Sequence, residues 1–335
     1  MHFQQVQREI LFINRINLPD PKTLHNPVLY GFPDNQVRNF YIENSQNNKL
    51  GVWQVVPTGA YWNEVNHGKN QFNDKFYNSF LTDKETTTLV YLHGNVGNRA
   101  SRQRAFTYQK LASINNFNVI SFDYTGFGDS TGKPTERTIV DDSKAIWDWL
   151  ISQGASPDRL IIMGHSMGTA VATKLVDELQ ELGQSPKALL LKAPLSNVQK
   201  AIFDYKLFGT YSILGPLGQI PQLRGYISNM LKLEFDSLSI INKLKLPILI
   251  LHGTEDKVLP LVHGETLFQA VANSTDCKTT VINQGIPQSV KVLDSECKSH
   301  FIQFAKFNYI GHSNYHRFDS AFQVIQKFWD KIKDN

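Results

Sequence analysis

The chain has 335 residues, of which 41% are hydrophobic and 19% charged, enough for one large α/β domain with or without an added cap. The net charge is +4 at pH 7, and neither a Lys/Arg tract nor interleaved aromatic and basic residues occur, which argues against nucleic-acid binding. The first twelve residues lack the apolar core of a signal peptide. The strongest apolar run, residues 247–251, is too short to span a bilayer. We therefore expect a cytoplasmic protein or one held peripherally on a membrane, with the endoplasmic reticulum as one candidate.

The N-terminal third predicts an irregular start followed by antiparallel strands. Residues 1–38 carry four prolines and predict an extended arm that lies on the domain. Residues 41–42 and 50–56 are typical of two strands of an opening antiparallel section. Residues 57–86 are rich in Asn and Lys and predict a long surface insertion.

A regular alternation of strands and helices follows. It predicts an α/β fold: a mostly parallel sheet with helices on both faces. The predicted strands are 88–92, 118–123, 160–163, 188–191, 247–251 and, as the last one, 279–282; the predicted helices lie near 102–114, 139–150, 169–182 and 318–332. We assign residues 39–194 and 246–335 to the core. Ligands of such sheets bind at the carboxyl ends of the strands.

The most informative motif follows the strand at 160–163. Gly164-His165-Ser166-Met167-Gly168 fits Gly-x-Ser-x-Gly, the nucleophile elbow of serine hydrolases. A serine hydroxyl is a weak nucleophile at neutral pH, so it needs a neighbouring base and a backbone turn that projects it toward substrate. The buried strand before Ser166 and the apolar helical stripe after it supply this context, and Ser166 is the predicted nucleophile.

A triad on this topology follows the chain order serine, acid, histidine. Glu255 and Asp256 both follow the strand at 247–251, and we choose Asp256 because the next helix begins directly after it. Three histidines precede the last helix. His312, which follows a glycine, is the first choice as base; His316 is the second and His300 the third.

The oxyanion of an acyl-transfer intermediate needs two preorganised N–H donors. One candidate is the amide of Met167, next to the nucleophile. The other is the amide of Asn95, in the loop after the strand at 88–92, where His93 is expected to be structural. The sequence has no metal-ligand cluster, P-loop or dinucleotide fingerprint, so we expect no metal and no cofactor.

Residues 195–245 interrupt the alternation between two predicted strands. They are rich in aromatic and apolar residues, and their basic residues outnumber the acidic ones by three. We interpret them as an inserted helical cap over the active site. An apolar cap beside a serine nucleophile suits an acyl-chain pocket, and its positive excess favours peripheral contact with an anionic membrane.

Cys277 and Cys297 are the chain's two cysteines. They could pair in an oxidising compartment, but two reduced thiols are the expectation for a chain facing the cytosol.

Several of these motifs resemble a known family. Tyr91–Arg99, Phe122–Gly132 and Gly164–Thr169 are similar to the α/β-hydrolase-domain lipases. Residues 39–42, 50–57 and 193–197 resemble its monoacylglycerol and lysophosphatidylserine lipase branch. The resemblance spans roughly residues 27–332, and by position it makes Ser166 the nucleophile, Asp256 the acid and His312 the base. Membrane-anchored members of the branch carry an N-terminal transmembrane helix, which is not found in this sequence.

These observations predict a serine hydrolase that cleaves carboxylic esters of lipids, either monoacylglycerols or lysophospholipids, through an acyl-enzyme. A thioesterase that removes acyl groups from protein cysteines would use the same triad. A hydrolase fold kept as a non-catalytic binding module is a third hypothesis, although a binding surface has no need of an intact Ser, Asp and His set.

Overall fold

The computed structural model describes residue 8 and residues 11–207, 209–212, 216, 219–230, 235–282, 289–298 and 301–334. The strands are β1 (Val37–Glu43), β2 (Lys49–Val55), β3 (Thr88–Leu92), β4 (Asn118–Phe122), β5 (Leu160–His165), β6 (Ala188–Lys192), β7 (Lys206–Leu207), β8 (Tyr211–Ser212), β9 (Ile248–Gly253), β10 (Lys278–Ile282), β11 (Val290–Glu296) and β12 (Phe301–Phe307). The helices are α1 (Thr58–Asn66), α2 (Asp74–Thr82), α3 (Arg102–Ser113), α4 (Glu136–Ser152), α5 (Met167–Glu181), α6 (Val198–Asp204), α7 (Pro221–Met230), α8 (Ser237–Ile240), α9 (Val262–Ala272) and α10 (Asp319–Ile332). In the part of the chain so described, no helix combines the length and apolarity needed to cross a bilayer.

Ten of these strands form one sheet in the order β1-β2-β4-β3-β5-β6-β9-β12-β11-β10. The six central strands, from β4 to β12, run parallel, and β1, β2, β10 and β11 add antiparallel edges. The predicted fold class is therefore confirmed. Because parallel strands need helical crossovers, both faces of the sheet are covered, which explains why β3, β5 and β9 are apolar runs.

Alternate residues of each central strand enter two separate cores. Val90 and Leu92 of β3 pack on the face covered by α4, α5 and α9. Leu89 and Tyr91 pack on the other face, with α3 and α10. The carboxyl edge of the sheet is thereby held rigidly from both sides.

The N-terminal residues lie against this edge. The side-chain amides of Asn14 and Asn17 donate to the carbonyl oxygens of Gly126 (2.9 Å) and Gly128 (2.7 Å). Ile13 forms an isolated parallel bridge with Val96. Residues 13–17 are therefore held against the loops that follow β3 and β4.

Residues 57–86, expected to be a surface insertion, form α1 and α2. Most of their side chains are exposed or half-buried, and their buried aromatic residues build a small cluster with Val56. The expectation for the last strand was wrong: β11 and β12 follow residues 279–282 along the chain, and β12 returns to pair with β9. The cause of this error is that β11 and β12 mix charged and apolar residues.

The expectation of two reduced thiols was also wrong. Cys277 and Cys297 form a disulfide, with a Cα–Cα distance of 4.0 Å. The physical reason is the antiparallel pairing of β10 and β11, in which Lys278 lies opposite Glu296. Cys277 and Cys297 are the next residues outward on the two strands, so the pairing brings them face to face.

The interrupting segment, residues 195–245, contains α6, β7, β8, α7 and α8. Leu195, Val198 and Ala201 pack into the core on the α5 side. Residues 208, 213–215, 217–218 and 231–234, which include several of the apolar residues used to predict a cap, lie outside the described part of the chain.

Candidate active site

Ser166 occupies the turn between β5 and α5 in a conformation that few non-glycine residues adopt, with φ 56° and ψ −125°. The turn is tight enough to exclude side chains on both sides. A Cβ at Gly164 would collide with the carbonyl oxygen of Gly168, and a Cβ at Gly168 would collide with that of Leu92. The structure therefore has the strand–turn–helix context that the motif requires, with strained backbone at the candidate nucleophile.

Asp256 lies just after β9, and its side chain is fully buried. One carboxylate oxygen, Oδ1, accepts hydrogen bonds from the amides of Val258 and Leu259, both at 2.9 Å. The other, Oδ2, lies 2.8 Å from Nδ1 of His312. Asp256 thus caps the loop that follows it and also contacts the candidate base, so the two roles are compatible.

The charge of Asp256 is stabilised by its surroundings. Burial by itself would raise the pKa of Asp256, but the imidazoles of His312 and His252 hold it well below its usual range. Because a carboxylate only accepts hydrogen bonds, Nδ1 of His312 must be the donor. The other ring nitrogen, Nε2, is then left without a proton in the neutral ring and can accept one.

The position of His312 is set by the pairing of β12 with β9, in which Phe307 lies opposite Gly253. The loop after β12 passes close to the end of β9. The amide of Glu255 donates to the carbonyl oxygen of Ile310 at 3.0 Å, and a Cβ at Gly253 would collide with that oxygen. The missed strand β12 is therefore the element that brings residue 312 to residue 256.

Ser166 and His312 line the same cavity, which has a volume of about 880 Å³. In the portion of the chain that the structure describes, no hydrogen bond joins the Ser166 hydroxyl to the His312 ring. Catalytic hydrogen bonds are often long without substrate and shorten in the Michaelis complex. Apolar residues of the N-terminal segment and of α3 form much of the cavity wall, among them Leu18, Leu29 and Phe106.

The alternative triad residues lie elsewhere. Glu255 is exposed. The ring of His316 stacks on Phe106, with ring centroids 5.6 Å apart, and its Nδ1 lies 3.2 Å from the carbonyl oxygen of Ser313. His300 falls outside the described residues.

The two candidate oxyanion donors flank Ser166. Met167 is the first residue of α5, where helix amides have no intrahelical acceptor. Asn95 lies in the loop after β3, and a Cβ on the neighbouring Gly94 would come within 3.2 Å of the Ser166 Cβ. Asn95 and Ser166 also line a common cavity. The roles of the two amides stay predictions.

Arg104, which the sequence reasoning missed, holds the Asn95 loop. Its buried guanidinium donates to the carbonyl oxygens of Asn98 (2.7 Å), Val96 (2.6 Å) and Gly94 (3.3 Å). A buried arginine on the first turn of α3 gave no pattern that could be read from sequence. His93 is buried as well, and burial lowers the pKa of its imidazole well below the usual value, as suits the structural role predicted for it.

A second, small apolar cavity of about 50 Å³ adjoins Ser166 on the side of α6. Its wall is formed by Leu195, Val198, Ala201, Ile202 and Leu259, together with Leu11, Tyr205 and residues of the site. The segment that interrupts the strand–helix alternation therefore supplies apolar surface directly beside the candidate nucleophile.

Comparison with known proteins places this site in a family. A profile of the serine aminopeptidase S33 family matches residues 83–224. The lysophosphatidylserine lipase ABHD12 of Danio rerio is 32% identical over 272 residues, which cover 80% of this chain and 67% of that protein. The chain belongs to the ABHD12 family of α/β-hydrolases. Protein ABHD12B of Homo sapiens is 34% identical over 240 residues, or 70% of this chain and 62% of the relative.

Solved structures extend the likeness in fold. An α/β hydrolase from Vibrio vulnificus has a TM-score of 0.64 at 16% identity, covering 96% of this chain and 91% of its own. The Pyrococcus furiosus esterase Pf2001 has a TM-score of 0.59 at 16% identity, covering 92% and 96%. The predicted resemblance to this family is thus confirmed. About a third of each of the two ABHD12-family relatives lies outside the alignment.

Proposed function

We propose that this chain hydrolyses the acyl ester of a lysophospholipid, with Ser166, His312 and Asp256 as a catalytic triad. The observation that carries the proposal is the 2.8 Å contact between Asp256 Oδ2 and His312 Nδ1, because His312 lines the same cavity as Ser166. The lysophosphatidylserine lipase named among the relatives supports the substrate class.

The reaction follows from this geometry. His312 Nε2 takes the hydroxyl proton of Ser166 as Oγ attacks the ester carbonyl, and the amides of Asn95 and Met167 stabilise the oxyanion. Asp256 stabilises the imidazolium that forms. The imidazolium then gives its proton to the leaving alcohol, and the ester C–O bond breaks. Water, activated by His312, hydrolyses the acyl-enzyme and releases the fatty acid and Ser166.

The two cavities suit the two halves of such a substrate. The small cavity is lined by aliphatic residues and offers the acyl carbons next to the scissile bond an apolar wall. The large cavity is lined in part by Arg102, Gln103 and Gln109, which are able to contact a phosphate-containing head group. Residues 195–245 serve in this proposal as the cap that separates the acyl chain from water.

Peripheral contact with a lipid surface belongs to the same proposal. Leu18 and Leu29, which line the large cavity, are 67% and 63% exposed, and Ile220 and Tyr226 of residues 195–245 are also exposed. Sedimentation with vesicles of anionic phospholipid should therefore decrease in the double variant Leu18→Ser, Leu29→Ser. Unchanged sedimentation would contradict the contact.

The decisive experiment compares Ser166→Ala with the wild-type chain on a panel of lysophospholipids, monoacylglycerols and acylated peptides. We expect kcat to fall by at least roughly a thousand-fold and labelling by a fluorophosphonate probe to be lost. Ser152→Ala, which removes an exposed hydroxyl at the end of α4, is the matched control and should keep wild-type rates. Full turnover by Ser166→Ala would refute Ser166 as the nucleophile. Turnover of the acylated peptides alone would refute lysophospholipids as the substrate class.

A further inference from the structure

His165, the last residue of β5, makes a hydrogen bond that the triad mechanism does not use. Its imidazole is buried, with 4% of the residue exposed. Its Nε2 lies 2.9 Å from the backbone carbonyl oxygen of His312, and the two rings lie 5.1 Å apart. The residue directly before the candidate nucleophile is thus bonded to the candidate base, which lies 147 positions later in the chain.

The protonation of His165 follows from its partners. Because a carbonyl oxygen only accepts, Nε2 must carry the hydrogen of this bond. The other nitrogen, Nδ1, is buried and has no hydrogen-bond partner among the described residues. Burial, and then the nearby cation of Lys192, lower the pKa of His165 well below its usual value. The ring is therefore neutral and has a fixed tautomer.

The other hydrogen bonds that the structure describes for the loop around His312 join it to β9, to the residues after β9, or to itself. The carbonyl oxygen of Ile310 accepts from the amide of Glu255, and Nδ1 of His312 contacts Asp256. The hydroxyl of Tyr315 donates to the carbonyl oxygen of Leu251 in β9. None of these contacts joins the His312 backbone to the β5–α5 turn. The hydrogen bond from His165 does, since β5 ends at His165 and Ser166 is the next residue.

We propose that His165 is a positioning residue, which holds His312 over Ser166 through the hydrogen bond to the His312 carbonyl. The inference rests on the proposed function, because His165 can position His312 for catalysis only if His312 is the base of the triad. A displacement of about 1 Å in a catalytic group can cost on the order of a hundred-fold in rate. Loss of this hydrogen bond should therefore lower kcat without weakening substrate binding.

The test compares two substitutions of similar size. His165→Leu fills the space but cannot donate, whereas His165→Gln carries an amide nitrogen at about the reach of Nε2. With a water-soluble acyl ester, His165→Leu should lower kcat by about ten- to a hundred-fold and leave KM within about two-fold. His165→Gln should restore kcat to within about five-fold of wild type.

The outcomes separate the two levels of the argument. Wild-type kcat in His165→Leu, or equal losses in the Leu and Gln variants, would overturn the positioning role even if Ser166→Ala is inactive. Activity in Ser166→Ala would instead refute the proposed function. If His165→Leu does not fold, His165→Asn replaces it, because its shorter amide stays polar but does not reach the His312 carbonyl. The kcat of His165→Asn must then fall by about ten- to a hundred-fold, while the kcat of His165→Gln must stay within about five-fold of wild type.

Discussion

His93 and Asp123 form one histidine–aspartate pair at the carboxyl edge of the sheet, and His312 and Asp256 form another. In the first pair, Nε2 of His93 lies 3.5 Å from Oδ1 of Asp123, and both side chains are 0% exposed. Both oxygens of the Asp123 carboxylate accept hydrogen bonds from Arg99. The Arg99 amide donates to Oδ1 at 2.6 Å, and Nη1 donates to Oδ2 at 2.5 Å. In the second pair, the contact is 2.8 Å, and the His312 side chain is 13% exposed toward the cavity.

The difference teaches that proximity of an imidazole and a carboxylate does not make a catalytic pair. Tyr124 and Phe127 pack against the His93 ring, so a substrate proton has no route to it. Asp123 serves the guanidinium of Arg99 and not a reacting group. In the second pair, Oδ1 of Asp256 accepts from the loop, whereas Oδ2 contacts His312 at 2.8 Å and His252 at 3.3 Å. The ring of His312 lines the same cavity as Ser166. Three substitutions test this distinction.

The largest effect is expected from Asp256→Asn. The side-chain oxygen of this variant can still accept from the amides of Val258 and Leu259, so the loop should fold, but the new NH₂ group would face Nδ1 of His312 and favour the wrong tautomer. We expect kcat to fall by about 10⁴-fold while the unfolding temperature changes little. Glu255→Gln removes the neighbouring exposed carboxylate and should react at the wild-type rate. Equal rates for the two variants would mean that Asp256 is only a cap.

Arg99→Leu should act on stability instead. It leaves the carboxylate of Asp123 buried without its cation, and breaking such a pair costs about 3–5 kcal/mol of unfolding free energy. Urea denaturation measures this loss, and kcat per folded molecule should stay near wild type. Arg137→Leu breaks the ion pair with Glu178, in which Arg137 is 56% exposed, and should cost at most about 1 kcal/mol. If Arg99→Leu kept wild-type stability but lost activity, the claim that the His93–Asp123 pair serves stability and not catalysis would be contradicted.

The smallest effect is expected from Lys192→Met, at the carboxyl end of β6. The Lys192 Nζ lies 5.2 and 5.5 Å from the ring centroids of Tyr91 and Tyr315, and burial lowers the pKa of Lys192 to about 7. Between pH 7 and the ordinary pKa of lysine, Lys192 is protonated in the unfolded chain but neutral in the folded one. The free energy of unfolding should therefore rise with pH by up to about 1.4 kcal/mol per pH unit. Lys192→Met should remove this contribution. Urea midpoints at pH 7.5 and 9.5 measure it, and identical slopes in both proteins would exclude it.

Much of the fold and the core of the site could be predicted from sequence, for physical reasons that differ between elements. Five of the six parallel strands appear as apolar runs because a strand covered on both faces carries apolar side chains; β12, with Gln303 and Lys306, is the exception. The elbow leaves a local pattern because Gly164 and Gly168 have no room for a side chain. Asp256 could be found because it follows a strand and precedes a helix.

Other features depend on contacts between distant segments. In β11, the buried residues Val290, Val292 and Asp294 alternate with exposed or half-buried ones, and this period-two signal could have indicated the strand. Because β11 was not recognised as a strand, its pairing with β10 was unknown. The facing positions of Cys277 and Cys297 could therefore not be inferred. The hydrogen bond from His165 to His312 joins residues 147 positions apart. No local sequence pattern relates them, so the bond could not be predicted from sequence.

The pairing of β12 beside β9 has a consequence for how such a chain can diversify. β9 and β12 end side by side, with Gly253 opposite Phe307, and the loops that follow them carry Asp256 and His312. The contact between these two side chains therefore depends on main-chain pairing that many strand sequences can satisfy. The walls of the two cavities come largely from residues 11–31, from α3 and from residues 195–205. Substitutions in those walls can change the shape of the cavities while the Asp256–His312 pair is kept.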